Sequence, residues 1–419
     1  MNRSQPARIL RQMPAPRLAV VSTHPIQYYA PIFQHLTRAG NVQPQVFFTW
    51  SQSAGGAEDP GFGRRITWDI PLTEGYESQF VENVARRPGT EHFWGLRTPG
   101  LTRAIESWEP SAVLVFGWNS HAHLRAMRHF KGRVPVFFRG DSTLLDQRTS
   151  WRVQLRKRLL TWVYSHIDTA IAVGSNNRDY FRWCGVPEQR IDFAPHAIDT
   201  SRFADRELEH QQWAGRLRAQ LGIAPEARVL LFAGKLQPKK DPLLLLEAYR
   251  AATGLRALAG PRTPVGWEAA ATHLVFVGNG PLEAQLRARA QDRPDVHFLP
   301  FHNQQAMPGV YRLGDVFVLP SRGPGETWGL ALNEAMASGR AVIAASRAGG
   351  TRDLVTPGVN GWVFESGDLA ELTKVVADAL SCDPARLQSL GAAARNVSER
   401  WSIGAAAEGI ERSVLRFLH

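Results

Sequence analysis

The sequence contains very little cysteine and no long apolar run. Only Cys184 and Cys382 occur among 419 residues, and neither belongs to a Cys-x-x-Cys motif or a cysteine and histidine cluster. A disulfide framework and a zinc site are therefore not indicated, and a reducing cytoplasm fits best. No stretch of about 18 apolar residues is present, and the arginine-rich first 17 residues lack an apolar segment. Neither a membrane-spanning helix nor a secretory signal is predicted.

Positive charge is in excess and unevenly placed. The net charge is +11, of which residues 1–206 contribute +9, with 26 Lys and Arg against 17 Asp and Glu. A basic first half can attract an anionic membrane, a nucleic acid or an acidic acceptor, but it can equally be a solvated surface. Because no nucleic-acid-binding motif accompanies the arginines, nucleic-acid binding is not expected.

Residues 147–167 combine basic and apolar side chains in one predicted helix. Its cations are Arg148, Arg152, Arg156, Lys157 and Arg158, and its large apolar residues are Trp151, Leu155, Leu159, Leu160 and Trp162. A helix lying on the inner face of a membrane would show this pattern. An ordinary amphipathic helix packed on a sheet would show it too, and this second interpretation is preferred.

Short β-branched and aromatic runs alternate with helical segments in two series. The first series lies at 17–23, 112–117, 134–140 and 169–174, and the second at 228–234, 273–280, 296–301, 316–321 and 341–346. This alternation is typical of parallel sheets built from βαβ units. It predicts an α/β protein with two doubly wound, Rossmann-like domains, residues 1–200 and 201–400, that face each other across a cleft. Residues 401–419 are expected to form a helix that crosses back to the first domain.

The segment 316–350 reads as a strand, a glycine-rich loop, a helix and a second strand. The loop contains Gly323 and Gly325, and the helix is expected to begin near Thr327. Unpaired backbone N–H groups at the start of a helix, together with its dipole, suit a diphosphate. The amides of Thr327, Trp328, Gly329 and Leu330 are the predicted donors.

Two carboxylates flank these predicted amides. Glu326 precedes them, and Glu334 follows two turns into the helix, too far away to share one proton with Glu326. They are better suited to binding hydroxyls at opposite ends of a long ligand. Lys235 and Lys240 follow the strand at 228–233 and could neutralise phosphate charge between those ends. The alternative is that all four are ordinary solvated side chains.

These residues resemble glycosyltransferase family four, a retaining family with the GT-B fold. The family's Glu-x7-Glu signature is matched by ETWGLALNE at 326–334, and the resemblance covers most of the second domain. It implies that Glu326 lies near the hydroxyls of a donor sugar and that Glu334 binds ribose. It also implies a phosphate-binding pair at Lys235 and Lys240, although lysine at the first position departs from the usual arginine.

Further segments extend the resemblance. VGNGP at 277–281 and LPF at 299–301 imply donor and base contacts from Gly278, Gly280, Pro300 and Phe301, and PHAIDTSRF at 195–203 falls at the domain junction. The first domain departs from the family. Where relatives have glycines, this chain has His24, Gln27 and Tyr28. Either these side chains contact the ligands, which is the preferred interpretation, or the loop is merely different.

The family's sugar-binding histidine is also missing from its usual place. Arg139 and Asp141 stand there and could contact sugar hydroxyls or form a structural ion pair, with Ser142 as a helix cap. His121 and His123 are rival candidates, unless they are ordinary loop histidines.

The chain lacks an Asp-x-Asp sequence, which usually holds a divalent metal on a nucleotide sugar. Transfer is therefore expected to be metal-independent, with no cofactor beyond a UDP- or GDP-linked donor and with a hydroxyl acceptor on a glycan, a lipid-linked molecule or a small molecule. Two alternatives remain at this point: a nucleotide-sugar epimerase on a similar fold, and a basic nucleic-acid-binding protein.

Overall fold

A computed structural model of the chain describes residues 14–53, 57–59, 64–147, 150–259 and 271–418. Arg148, one of the cations noted above, lies outside these residues. Within them, two parallel sheets form, each with helices on both faces.

The first sheet has seven parallel strands in the order β5-β2-β1-β6-β7-β8-β9. The strands of this half are β1 (Arg17–Ser22), β2 (Gln43–Phe48), β3 (Ala57–Asp59), β4 (Arg64–Ile66), β5 (Glu77–Phe80), β6 (Ala112–Phe116), β7 (Val136–Arg139), β8 (Thr169–Ala172) and β9 (Ile191–Phe193). The helices are α1 (Ala30–Ala39), α2 (Leu101–Ser107), α3 (His121–Phe130), α4 (Trp151–Tyr164) and α5 (Ser175–Trp183). Strands β3 and β4 form a separate antiparallel pair.

The second sheet has six parallel strands in the order β12-β11-β10-β13-β14-β15. Its strands are β10 (Arg228–Ala233), β11 (Thr272–Val277), β12 (Val296–Leu299), β13 (Val316–Leu319), β14 (Ala341–Ala345) and β15 (Gly361–Phe364). The helices of this half are α6 (Thr200–Ala204), α7 (Glu207–Gln220), α8 (Pro242–Ala259), α9 (Glu283–Arg289), α10 (Met307–Leu313), α11 (Leu330–Ala337), α12 (Thr351–Leu354), α13 (Leu369–Ser381) and α14 (Pro384–Glu399).

Both faces of each sheet are buried, which explains why the strands are almost continuously apolar. In β10, Val229 and Leu231 belong to one core cluster, whereas Leu230 and Phe232 belong to the cluster on the opposite face. Helices that cover both sides of a parallel sheet require such runs. The α/β fold class predicted from the sequence is confirmed by these two sheets.

The sequence patterns missed some elements and misplaced one boundary. The predicted runs did not include β2, β3, β4, β5, β9 and β15. Strand β2 contains two glutamines and a proline, and the others are only three or four residues long. Helix α11 begins at Leu330 rather than near Thr327, since Gly329 takes the left-handed conformation at φ 92° and ends the preceding loop.

The chain ends in α15 (Ile403–Leu418), which packs on α1 and β9 of the first half. Ile410 and Val414 are fully buried in the core cluster that also contains Ile32 and Phe33. Arg416 and Ser413 bond the carboxylate of Asp192 at 2.6 and 2.5 Å. The last helix therefore connects the second half of the chain to the first.

Helix α4 was expected to pack its apolar face on the sheet, and the structure shows this for only some of its apolar residues. Leu160, Val163 and Tyr164 are buried. Trp151, Leu155, Leu159 and Trp162, which were expected to contribute to the packed face, are exposed. Only part of the apolar surface of α4 therefore packs on the sheet.

We expect Ile410→Ala to lower the free energy of unfolding by about 3 kcal/mol, because it leaves a cavity between α15 and the first half. Glu408→Ala, at an exposed position of the same helix, should change it by less than about 0.5 kcal/mol. Urea denaturation of both variants measures the difference. Equal stabilities would show that α15 does not dock as described.

Candidate active site in the cleft between the sheets

The candidate site is a cleft of about 1560 Å³ lined by loops from both halves of the chain. In each sheet the strand order reverses once, between β1 and β6 and between β10 and β13. Ligands of open parallel sheets bind beyond the carboxyl ends of the strands at such reversals. The loops that follow β1, β10 and β13 all line this cleft.

The loop after β13 presents backbone N–H groups to the cleft. Gly329 caps α11, and a side chain there would approach Leu319 to 2.7 Å as well as strain the backbone. Among the described residues, the amides of Gly329, Leu330 and Ala331 donate to no protein acceptor. All three residues line the cleft. The start of α11 thus offers free donors and a positive dipole end, as an anionic group requires.

The carboxylate of Glu326 forms an ion pair at the edge of these amides. Its Oε2 lies 2.6 Å from Nζ of Lys240 and accepts a hydrogen bond of 3.1 Å from the hydroxyl of Ser321. Both charged side chains are largely buried. The backbone of Glu326 is fixed as well, because its carbonyl accepts from Gly349 N–H at 3.0 Å. A rigid loop therefore holds the pair at the start of α11.

The loop after β10 supplies the lysines predicted to neutralise phosphate. Lys235 and Lys240 both line the cleft, and the short 3₁₀ turn Pro238–Lys240 orients the second one. Gly278, from the loop after β11, packs so closely that a Cβ atom would lie 2.1 Å from the carbonyl oxygen of Gly234. This close approach brings both loops to the same side of the cleft.

Glu334 is buried within α11, and hydroxyls from both halves of the chain bind its carboxylate. Tyr28, which follows β1, donates to Oε1 at 3.1 Å, and Tyr311 in α10 donates to Oε2 at 2.6 Å. Burial raises the pKa of Glu334 above its usual range, while the charge of Arg202 and the tyrosine hydrogen bonds act in the opposite direction. Hydroxyl groups are therefore established partners of this carboxylate.

Asp141 bridges the two sides of the cleft. Its Oδ2 accepts a 2.6 Å hydrogen bond from the hydroxyl of Thr327 in the opposite loop. The same oxygen lies 3.9 Å from Nε2 of His196, which lines the cleft beside Trp328. Burial lowers the pKa of His196 to about 4, so its imidazole is neutral near pH 7.

His24 and Gln27 line the first-domain side of the cleft. Nδ1 of His24 lies 2.9 Å from the hydroxyl of Thr23, and its ring meets Trp50 edge-on. Burial lowers the pKa of His24 to about 4. It can therefore contact a ligand as a neutral donor or acceptor.

Three residues that were predicted to contact a sugar do not line the cleft. The guanidinium of Arg139 is buried and donates to the carbonyls of Ala194 and Pro195, both at 2.7 Å, at the domain junction. Arg139 therefore does not line the cleft, and it forms no ion pair with Asp141. His121 stacks on Trp94 outside the cleft lining. His123 is buried against Thr49 and the carbonyl of Gly117.

Three residues predicted to contact the donor pack against other parts of the protein. Gly280 lies against the backbone of Leu236, and the carbonyl of Pro300 accepts a hydrogen bond from His302. Neither residue lines the cleft. The indole of Trp328 is buried against Trp401 and donates to Asn333 at 2.9 Å. Trp328 is 3% exposed and is among the residues that line the cleft. The remaining predicted residues, Thr327, Leu330 and Phe301 among them, do line it.

Sequence reasoning did not single out Tyr311 and Arg202. Tyr311 lies in an apolar helix directly before β13, where a buried phenol needs an acceptor, and that requirement was a usable signal. Arg202 donates to Gln304 at 2.8 Å, and its charge acts on Glu334 from a distant part of the sequence. No local pattern indicates that pairing.

Two family profiles match successive parts of the chain. Residues 34–202 match the profile described as Glycosyltransferase Family 4, and residues 215–397 match Glycosyl transferases group 1. The chain belongs to glycosyltransferase family four.

Curated relatives of this family-four chain match only part of its length. A D-inositol 3-phosphate glycosyltransferase from Geodermatophilus obscurus is 36% identical over 217 residues, which is 50% of this chain and 44% of the relative. One from Rhodococcus opacus is 31% identical over 268 residues, covering 60% and 54%. The chain thus spans about half the length of the curated relatives it matches.

Two solved structures match nearly the whole chain. HepE from Anabaena, solved with UDP and glucose, has a TM-score of 0.68 at 18% identity and covers 96% of this chain and 100% of its own. WaaG, a glycosyltransferase of lipopolysaccharide biosynthesis, has a TM-score of 0.64 at 15% identity, covering 94% and 98%. At these identities the likeness concerns the fold, which is the GT-B fold.

Two further properties hold for the described part of this family-four chain. No group of three or more His, Cys, Asp or Glu side chains there could hold a metal ion. No helix in the same residues is long and apolar enough to cross a membrane.

His196 provides a pH test of the site's geometry. Its pKa falls from 6.5 to about 4 on folding, so between these values the unfolded chain binds more protons and stability is lost as the pH falls. The loss between pH 7 and pH 5 is expected to be about 2 kcal/mol. Urea unfolding of His196→Gln at both pH values should show a correspondingly smaller difference. An unchanged difference would contradict the burial of this imidazole.

Proposed function

We propose that this chain transfers a sugar from a nucleoside-diphosphate sugar to an acceptor hydroxyl, with retention of anomeric configuration and without a metal ion. The observation that carries the proposal is the arrangement at α11. The Glu326 and Lys240 pair lies beside the free amides of its first turn, and the hydroxyl-binding Glu334 lies deeper in the same helix.

The spacing suits a long anionic ligand. Leu330, at the start of α11, and Glu334 are four residues apart, a rise of about 6 Å. A diphosphate bound to the amides of residues 329–331 would therefore have a ribose on the Glu334 side and a sugar on the Glu326 side. Glu334 already binds two phenol hydroxyls, and ribose hydroxyls can take their place.

The base of the nucleotide would extend toward Gly278 and Phe301, which line the same side of the cleft. HepE was solved with UDP and glucose, which makes a UDP-linked sugar the first donor to test and a GDP-linked sugar the second.

Transfer breaks the bond between the anomeric carbon and a diphosphate oxygen, whose electron pair leaves with the nucleoside diphosphate. The acceptor oxygen bonds to the anomeric carbon from the same face, and its proton passes to the departing phosphate oxygen. Lys240, Lys235 and the helix amides stabilise the negative charge that develops, which is the dominant lever in such a reaction. These cations and dipoles also supply the charge that a metal would otherwise provide.

The acceptor would enter along the first-domain side, where His24 and Gln27 line the cleft and the carboxylate of Asp141 accepts from Thr327. Closure of these loops around the sugar excludes water and limits hydrolysis of the donor. The two free cysteines favour a cytoplasmic location, and the basic first half suits association with the inner face of a membrane.

We expect Glu326→Gln to lower the rate of sugar transfer or donor hydrolysis by about 10²-fold, because the loop loses the charge that orients Lys240. Donors are first screened as UDP-, GDP- and ADP-sugars by thermal shift, and the rate is then measured with the best binder. Lys240→Ala should lower the rate at least as much. Lys374→Ala, at an exposed position of α13, is the matched control and should leave it unchanged.

Failure of every donor to shift the melting temperature would refute a nucleotide-sugar site. Conversion of the donor to its epimer in the absence of acceptor would identify an epimerase instead.

Metal removal gives a separate prediction. Because lysines and amides carry the charge stabilisation, the transfer rate should be the same in excess EDTA and in millimolar Mg²⁺. The measurement is the initial rate under both conditions with one enzyme preparation. A loss of activity in EDTA that Mg²⁺ restores would show that a metal takes part.

A further inference from the structure

Helix α4 carries a stripe of apolar side chains that face away from the protein. Trp151, Leu155, Leu159 and Trp162 are 72%, 61%, 50% and 43% exposed. At about 100° per residue, these four positions fall within an arc of about 80° and extend along about 16 Å of the helix. We refer to them as the α4 stripe.

Exposed apolar side chains are concentrated in the α4 stripe more than elsewhere on the described surface. In the described part of the chain, eleven large apolar residues are exposed, and four of them form this one stripe. The others, such as Leu208 on α7 and Val359 near β15, are separated along the sequence. Single exposed apolar residues need no explanation, whereas a contiguous apolar strip on a soluble surface indicates a binding partner.

Cations border the stripe on both sides. On the helical projection, Arg152 and Arg156 lie on one side and Arg158 on the other, and all three are exposed. No acidic residue occurs from Trp151 to Tyr164. Within the described residues, none of the cations of α4 forms an ion pair with a carboxylate. The guanidinium of Arg152 instead lies 5.6 Å from the ring of Trp151.

The basic surface continues onto the end of α3. A shallow cavity of about 460 Å³ there is lined by Arg125, Arg128, His129, Lys131 and Arg133. The guanidinium of Arg128 lies 5.6 Å from the ring of Trp162, so this cavity adjoins the stripe.

Only part of the charge in this cavity is neutralised. Glu106 pairs with His129 and Arg133, and Asp168 pairs with Lys131. Arg125 and Arg128 have no carboxylate partner among the described residues, so the cavity stays positive.

We infer that the α4 stripe and the neighbouring cations dock on an anionic lipid bilayer. Tryptophan rings favour the interface between water and hydrocarbon, leucines enter the acyl region, and arginines bind headgroup phosphates. A second copy of the chain fits this surface poorly. In a two-fold contact the same arginines would face each other, and like charges across an interface oppose association.

The surface lies next to the cleft. Asp146 lies five positions before the start of α4 in the sequence, and its carboxylate accepts from the amide of Gly325 at 2.7 Å and from Arg347 at 3.0 Å. A bilayer that contacts the start of α4 therefore approaches the rim formed by the loop after β13. Docking itself does not depend on the proposed reaction.

Sedimentation of the full-length chain with lipid vesicles tests the inference. Vesicles of equal parts phosphatidylglycerol and phosphatidylcholine should bind at least tenfold more tightly than vesicles of phosphatidylcholine alone. High salt should weaken this binding. The double variant Trp151→Ser with Leu155→Ser should bind at least tenfold more weakly, and so should Arg152→Gln with Arg156→Gln.

The matched control is Trp94→Ser with Leu208→Ser, which removes the same residue types at exposed positions elsewhere and should bind like the unchanged chain. The arginine variant preserves all apolar packing, so it decides the question if the serine variant fails to fold. Absence of vesicle binding, or equal binding by all variants, would overturn the inference. A stripe variant that only converts a dimer to a monomer in ultracentrifugation would assign the surface to a second copy.

Discussion

The carboxylate of Glu334 is the constraint on which the site depends. A buried carboxylate is costly unless hydrogen bonds and positive charge satisfy it. Here the partners come from both sides of the cleft, with Tyr28 after β1 and Tyr311 in α10. Because α11 also carries the free amides and follows the loop of Glu326, satisfying this one side chain fixes the position of the loop after β13 relative to the first half of the chain.

The sequence predicted the parts of this arrangement that depend on local patterns. Apolar strands and the glycine loop before α11 are recognisable because both faces of a parallel sheet are buried and because Gly329 requires a left-handed backbone. Glu326 was singled out because it precedes the predicted helix start and Lys240 because it follows the strand at 228–233, and the family resemblance implied roles for both. The structure brings the two side chains within 2.6 Å.

Residues whose surroundings come from distant segments could not be assigned in this way. Arg139 occupies the place where a sugar contact was expected, but its partners are carbonyls 55 and 56 residues away. In α4, the sequence shows an amphipathic mixture without showing which apolar residues meet the sheet. Leu160 and Val163 are buried in the core of the first half, while the α4 stripe stays exposed, because the surrounding tertiary structure and not the helix itself decides which face is covered.

A crystal structure with bound UDP would show whether both halves of the chain build one nucleotide-sugar site around α11. We expect the diphosphate on the amides of residues 329–331 and near Lys240. Ribose hydroxyls should lie on Glu334 and replace the hydrogen bond from Tyr28. A nucleotide bound away from α11, or one that leaves both tyrosine hydrogen bonds to Glu334 intact, would contradict a shared site.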